Sequence, residues 1–293
     1  MNLTNTCLLL SNYSQLSNSN IEMKNLTFKD KVIIITGSSK GIGKVTAQEF
    51  CKKGAIVVLN GRDPISLQKT VDELNFQGYR VIGVPGDTTN IKDCENLIQT
   101  CINEYGKLDI LINNASLTMN GRLIDMVPCI FSRIFLSNSL GTIIPTQLAI
   151  PYIQKTKGSI IFISSLAGMH GLPRSSAYSA GKIVLTSFWQ SLKIELKDSG
   201  IHFGIIYLSF TKNDENKKMI ASDGSLTKVP HRPAFLQQSQ QSIAFSIIKM
   251  IKSRRSKKVL SPLGKLTAVM TRHFPRTSLF LIAKTSNNGL RTQ

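Results

Sequence analysis

The stretch Val32-Ile33-Ile34-Ile35-Thr36-Gly37-Ser38-Ser39-Lys40-Gly41-Ile42-Gly43 decides the fold. Four branched apolar residues in a row suit a strand buried on both faces. A glycine-rich turn follows, then a helical stretch to about Lys53. Glycines at such a turn let the backbone approach a pyrophosphate, and a helix N-terminus aims N–H groups at it.

Working outward, the strand-then-helix pattern repeats. Further strands are predicted at Ala55–Leu59, Arg80–Val84, Leu108–Ile112, Ser159–Ser164 and Ile201–Leu208. Helices are predicted at Pro64–Gln77 with Asp63 as N-cap, Asn90–Tyr105, and Ser175–Lys197 with Gly200 as its stop signal. A long helical region runs from about Asp125 to Lys157, where Pro128, Pro145 and Pro151 are expected to interrupt or bend it. Strictly alternating β and α units imply an α/β, Rossmann-type doubly wound parallel sheet. Past Asp223, Gln237–Lys252 reads as a helix and Val259-Leu260 as a short last strand.

The expected organisation is one domain over residues 29–260, after a poorly ordered segment over 1–28 and before a basic amphipathic extension over 261–293. Met23, just ahead of the first strand, is a candidate true start. The chain has 293 residues, 42% of them hydrophobic, enough for a large core and against wholesale disorder. No apolar run approaches the roughly 18 residues of a membrane span, and no signal peptide is evident. An intracellular protein, cytoplasmic or peripherally membrane-associated, is therefore expected. The net charge of +19 is uneven: after Asp223 there are 13 Lys or Arg and no acidic residue. Leu263–Ala283 interleaves apolar residues with Lys265, Arg272 and Arg276, which reads either as an interfacial segment on an anionic membrane or as a packed C-terminal helix. A nucleic-acid role is not favoured, since the basic stretch lacks interleaved stacking aromatics. The five cysteines make no CxxC and read as buried small hydrophobes; the four histidines make no metal-ligand spacing.

Three constellations carry chemistry. The second strand ends in Asn60-Gly61-Arg62-Asp63. Arg62 and Lys40 would converge on a ribose 2′-phosphate, and two cations suit a dianion, so NADP(H) is preferred over NAD(H). Asp63 is the competing acidic candidate, but it is placed to cap a helix. In Tyr178-Ser179-Ala180-Gly181-Lys182 the i, i+4 spacing brings Lys182 to the tyrosine face. A close ammonium is expected to lower the Tyr178 pKa, ordinarily about 10, toward a working value. Ser165 ends the fifth strand, at the sheet edge where ligands bind, and can hold a carbonyl beside Tyr178; Ser164 is its one-off competitor. Asn113-Asn114-Ala115-Ser116 ends the fourth strand, and Asn138 sits inside the long helical region, where a buried amide must be used.

These residues, in this order and spacing, resemble the short-chain dehydrogenase/reductase family, in its classical branch, near the 11β-hydroxysteroid dehydrogenase and dehydrogenase/reductase member 7 proteins. The resemblance runs from about Lys31 to Leu260. It implies an oxidoreductase that interconverts a ketone or aldehyde and an alcohol by hydride transfer, on a small or lipid-like carbonyl substrate. By this resemblance Tyr178 is the proton donor or acceptor, and Lys182 tunes it and holds the nicotinamide ribose. Ser165 orients the carbonyl, and Asn138 holds a water that links Lys182 to solvent. Cofactor contacts are implied for Gly37, Ser39, Lys40, Gly41, Ile42, Gly43, Arg62, Asp87, Asn113, Ala115 and Thr211. A homo-oligomer is implied as well. The chain departs from the family at Leu208-Ser209, where Pro-Gly is usual, at Ser116 in place of glycine, and at Gly181, a costly residue inside a helix. The first departure keeps an alternative open: a catalytically weak, cofactor-binding member of the fold that acts on a membrane or partner.

Overall fold

The computed structural model describes residues 27–290, apart from 213, 215–216 and 231–232. Side chains are described to residue 284. The expectations for Met23 and for the N-terminal segment up to residue 26 fall on residues outside those described.

The strands are β1 (Val32–Ile35), β2 (Ile56–Gly61), β3 (Arg80–Pro85), β4 (Ile110–Asn113), β5 (Ser159–Ser165), β6 (His202–Leu208), β7 (Lys218–Ile220), β8 (Leu226–Lys228) and β9 (Lys257–Val259). The helices are α1 (Gly41–Cys51), α2 (Pro64–Phe76), α3 (Ile91–Tyr105), α4 (Pro128–Asn138), α5 (Leu140–Thr156), α6 (Ser176–Glu195), α7 (Gln240–Lys252), α8 (Pro262–His273) and α9 (Pro275–Leu290). Seven strands form one parallel sheet in the order β3-β2-β1-β4-β5-β6-β9, while β7 and β8 form a separate antiparallel hairpin. The order reverses at β1, which pairs with both β2 and β4. A crevice for a ligand opens at such a reversal, on the carboxyl ends of the strands.

The pleat explains the continuous apolar runs. In β1, Ile33 and Ile35 join one core cluster with Phe50, Leu59 and Ile247, while Val32 and Ile34 join the other with Leu97, Phe162 and Trp189. Both faces of the strand are covered, so no position is left for a polar residue. Trp189, the chain's one tryptophan, is held on α6 by donation from Nε1 to the Phe203 carbonyl of β6 at 3.0 Å.

Several boundaries follow from local chemistry. The Asp63 carboxylate accepts from the Ile65 N–H, and Asn90 accepts from the N–H groups of Lys92 and Asp93, so both predicted caps form. The long helical region divides at Ser139 and not at a proline. Ser139 (φ −113°, ψ −77°) closes α4, while Pro145 and Pro151 sit within α5 and Pro128 occupies the first turn of α4. There the Ser139 hydroxyl donates back to the Phe135 carbonyl at 2.8 Å, which competes with the helical ladder. Gly200 (φ +75°) is not the cap of α6, which ends at Glu195; it makes the turn into β6. Phe28, expected outside the domain, packs edge-on against Phe50 at 5.0 Å and is buried. Cys51, Cys94 and Cys101 are buried as expected, but Cys129 is exposed on α4.

The basic extension forms two helices, α8 and α9. Gly264 in the first turn of α8 packs on the short turn after β5: a Cβ there would lie 2.9 Å from Leu166. Beyond that contact Leu266, Val269, Phe274, Leu279 and Phe280 are exposed, between Lys265, Arg272 and Arg276. No helix of the described residues is long and apolar enough to cross a membrane.

Candidate active site

The glycine turn is wedged between neighbouring chain segments. Gly37 and Gly41 adopt φ +62° and +61°, the left-handed region that favours glycine. A Cβ on Gly37 would stand 2.7 Å from the Ala115 Cα, and one on Gly43 would stand 2.4 Å from the Gly37 carbonyl. Ala115 must therefore be small for the same reason that Gly37 must be glycine. The Asn114 amide fixes the turn, donating to the carbonyls of Thr36 at 3.0 Å and Gly37 at 2.8 Å. Thr36 Oγ1 accepts from the N–H groups of Asn114 and Ala115, both at 3.0 Å. The sequence motif Asn113-Asn114-Ala115-Ser116 includes Asn114 but assigns it no role of its own.

The turn leads into α1, whose first N–H groups have no helical partner. Lys40 is its N-cap position and is exposed, Ile42 packs against the core beneath, and a Cβ on Gly41 would meet nothing closer than 3.9 Å. An open, donor-rich backbone face at a helix start fits the pyrophosphate of a dinucleotide. Ser39 sits under the end of β2: its carbonyl accepts from Thr70 at 2.7 Å, and a Cβ at position 61 would meet its hydroxyl and require it to turn. Arg62 follows and lies 3.7 Å from Asp87, both half exposed. Asp87 is held in its own turn by Thr89, which donates from N and Oγ1 at 2.9 Å. Asn113 donates to Thr146 at 2.8 Å, but its buried Oδ1 has no partner, an unmet acceptor at this edge. Thr211 bridges to Gln238, in the segment whose Asp214 approaches Gly41.

Across the crevice the second cluster gathers. The Ser165 and Ser116 hydroxyls lie near the Tyr178 hydroxyl and favour its ionised form. Ser165 is the serine that faces it; the Ser164 hydroxyl turns to the Lys182 carbonyl at 3.5 Å. Ser116 also donates to Asn138 Oδ1 at 2.8 Å, and the Asn138 amide donates to the carbonyls of Leu117 and Ile134, both at 2.8 Å. This accounts for Ser116 where glycine is usual: its hydroxyl joins Asn138 to Tyr178. Lys182 is 2% exposed, and its Nζ donates to the Ile163 carbonyl at 3.0 Å and stands 6.0 Å from the Tyr178 ring centre. Gly181 is explained too. A Cβ there would lie 2.7 Å from Asn138 Cβ and 3.0 Å from the Phe135 carbonyl, so glycine lets α6 approach α4 and brings Lys182 beside Asn138.

The electrostatics differ from the expected sign. Burial pushes the Tyr178 phenol above its ordinary value, with the Ser165 and Ser116 hydroxyls opposing, and Lys182 is not among the groups that move it. Burial also lowers Lys182 to about 8, because a single carbonyl poorly replaces lost water. At neutral pH the site thus presents a protonated phenol and a weakly held ammonium.

At the departure from Pro-Gly, Leu208 packs into the core and the Ser209 hydroxyl is buried without a partner among the described residues. The following chain is held by backbone bonds from Gln238 N to the Phe210 carbonyl and from Lys212 N to the Gln238 carbonyl, each 2.9 Å.

A family model described as short chain dehydrogenase matches residues 31–223. The chain is 39% identical over 173 residues to 11-beta-hydroxysteroid dehydrogenase-like 4A of Arabidopsis thaliana, covering 57% of this chain and 56% of that protein. It thus spans little more than half the length of that relative. It is 35% identical over 226 residues to 11-beta-hydroxysteroid dehydrogenase-like 2 of the same plant, with 72% and 71% covered. It is 28% identical over 251 residues to dehydrogenase/reductase SDR family member 7B of Danio rerio, with 83% and 81% covered. In fold it resembles a short chain dehydrogenase/reductase from Burkholderia phymatum solved in complex with NAD, at a TM-score of 0.72, 21% identity, and 84% and 94% coverage.

Proposed function

We propose, from the premise that this chain belongs to the short-chain dehydrogenase family of NAD(P)-dependent oxidoreductases, that it interconverts a ketone or aldehyde and an alcohol, with NADP(H) preferred. The observation that carries the reading is Tyr178 and buried Lys182 on one helix, with the Ser165 and Ser116 hydroxyls gathered at the phenol. A bound nicotinamide supplies the hydride. Ser165 donates to the carbonyl oxygen and seats it beside Tyr178. Tyr178 gives its proton to that oxygen in reduction and takes it back in oxidation. Its raised pKa keeps the proton in place at neutral pH, as a donor needs. In this reading Lys182 holds the ribose hydroxyls, and Asn138, whose amide hydrogens go to the Leu117 and Ile134 carbonyls, takes part in the water link to solvent through an acceptor oxygen. Lys40 and Arg62 flank the position of a 2′-phosphate, while Asp63 is spent on a helix cap and is not offered to a 2′-hydroxyl.

The substitution Tyr178→Phe tests this. Turnover of a ketone should fall about a thousandfold or more, since both the proton transfer and its positioning are lost, with NADPH affinity by fluorescence titration nearly unchanged. Equal turnover would sink the assignment. The same titration run with NADH weighs the second reading, a cofactor-binding protein of little activity, which rests on the orphaned Ser209 hydroxyl. NADPH binding without turnover on any carbonyl panel would favour it.

The exposed apolar and basic residues of α8 and α9 fit the surface of an anionic membrane. Salt-sensitive binding to phosphatidylserine vesicles, lost on truncation after Leu260 with circular dichroism unchanged, is the expected outcome; salt-independent or absent binding argues against it. Exposed Leu136 on α4 and Ile183 on α6 suit contact with a second copy, and a monomer in sedimentation would remove that part.

A further inference from the structure

The pleat sorts the basic run that ends the sheet. β9 is the last strand of the parallel sheet, and among the described strands it pairs only with β6. Lys257 turns to one face and stands 5.4 Å from the Tyr207 ring centre. Lys258, next along, turns to the other face and donates from Nζ to the Ser246 hydroxyl of α7 at 3.2 Å. Arg254, just ahead of the strand, is spent on the carbonyls of Lys157 at 3.2 Å and Gly200 at 2.5 Å.

The cations around Lys258 have no such use. Lys249 follows Ser246 by three positions, on one face of α7. Arg255 is held against the last turn of α7 by its N–H, which donates to the Met250 carbonyl at 3.1 Å. Lys265 follows Gly264 in the first turn of α8, where a Cβ on that glycine would lie 3.1 Å from Val259 of β9. Burial lowers the Lys258 pKa, and the charges of Lys249, Arg255 and Lys265 lower it further. Among the described residues none of these four cations pairs with a carboxylate, and the chain has no acidic residue after Asp223. A lysine that only guards a sheet edge points into water. Lys258 is instead half-buried and turned toward three like charges, which is unfavourable until an anion enters.

The anion can be narrowed. A phosphate monoester carries close to two charges at neutral pH on three terminal oxygens, and nearby cations favour loss of its second proton. It therefore answers a clustered charge better than a singly charged diester. Exposed apolar side chains stand beside the cations: Phe245 one turn before Lys249, and Leu263 and Leu266 around Lys265. A free phosphate would leave them in water, whereas the acyl chains of a lipid would cover them.

We infer that Lys249, Arg255, Lys258 and Lys265 hold the phosphate-monoester headgroup of a membrane lipid, so that the chain selects that headgroup over negative surface charge at large. This deepens the membrane reading of α8 and α9 and rests on it for the bilayer.

The test is co-sedimentation of the full chain with phosphatidylcholine vesicles that carry either phosphatidic acid or phosphatidylserine, matched in surface charge. Partition onto phosphatidic acid should be about tenfold stronger. Lys249→Gln combined with Lys258→Gln should bring the two lipids within about twofold. Lys69→Gln combined with Lys92→Gln, exposed on α2 and α3, removes the same charge elsewhere and should leave the preference intact. Circular dichroism and NADPH affinity should stay unchanged in both pairs. Equal partition of the unaltered chain, a preference that survives the first pair, or one lost equally in the second, would overturn the cluster while leaving general binding to anionic membranes in place. Equally tight binding to a single-stranded oligonucleotide of the same phosphate content would also overturn it, since diesters would then suffice. Calorimetry with monomeric dihexanoyl phosphatidic acid separates the two readings. Binding that the first pair removes, with no vesicle bound, would support the cluster and overturn the membrane reading; no binding in either form would overturn both.

Discussion

The two sides of the crevice are built differently. On the dinucleotide side the backbone turn is tightly held: Asn114 ties it, Thr36 answers with its hydroxyl, and Gly37, Gly43 and Gly61 stand where a Cβ would strike a neighbour, with Asn113 Oδ1 an unmet acceptor beside it. On the substrate side, groups are left over. Among the described residues Ser209 and Gln238 have buried atoms without partners, and Lys218 faces Lys228. A surface that receives one shared cofactor can be over-determined, because its ligand is always the same shape. A surface that selects a substrate holds its spare valences for it.

Substitutions on the two sides should therefore differ in size and in sign. The largest effect is expected from Gly43→Ala, whose Cβ meets backbone that cannot move aside. It should lower unfolding free energy by about 3 kcal/mol in a denaturant titration and weaken NADPH binding in parallel. A variant of normal stability would show that the turn is less rigid than its contacts.

Lys182→Met comes next, read through pH. The folded pKa of Lys182 is lowered, so between about 8 and its ordinary value of 10.5 the unfolded chain binds more protons than the folded one. Stability from this group thus rises with pH across that window, by up to about 3 kcal/mol. The methionine variant should lose that rise, and parallel stability curves for the two chains would refute it.

At the seam between the sides, Ser116→Gly removes one hydroxyl from Tyr178 and from Asn138. Turnover should fall about tenfold, and the pH profile of kcat should shift upward as the phenol loses a bond that favours its ionised form. Unchanged KM with a shifted profile separates this from a loosened fold, and Ser116→Thr should restore most of it. The smallest effect, opposite in sign, is expected on the hairpin. Lys218→Thr should stabilise the ligand-free chain by about 0.5 kcal/mol at low salt by removing a like-charge pair. Destabilisation there would mean that the pair is already satisfied.

The same contrast governs what could be read from the sequence. The dinucleotide side was legible because its signals are local: the apolar run of β1, the glycines of the turn, and the caps Asp63 and Asn90 all lie within a few residues of what they control. Ser165, Tyr178, Lys182 and Asn138 came together because their spacing along β5, α4 and α6 is itself a signature. What could not be read depends on contacts between distant segments. The split of the long helix falls at Ser139, two residues before Gly141, while Pro145 and Pro151, the expected breakers, lie within a continuous helix. Gly181 looks costly until α4 is seen lying against it. The upward shift of Tyr178 depends on how deeply it is enclosed, which spacing does not report. The hairpin of β7 and β8 left one trace, Asp223-Gly224, the turn pair with Gly224 at φ +90°. Its polar, lysine-rich strands gave no alternation to go with it.

Trp189 makes the molecule its own optical gauge. A chain with one indole emits from one place, and here that place is the seam between α6 and β6, three turns of helix beyond Tyr178. A red-shifted emission peak with the far-ultraviolet spectrum intact would report α6 lifting from the sheet while remaining a helix. Energy transfer from that indole to a bound reduced nicotinamide would report occupancy of the crevice. One lamp thus times both the seating of the reactive helix and the arrival of its cofactor, with no dye attached.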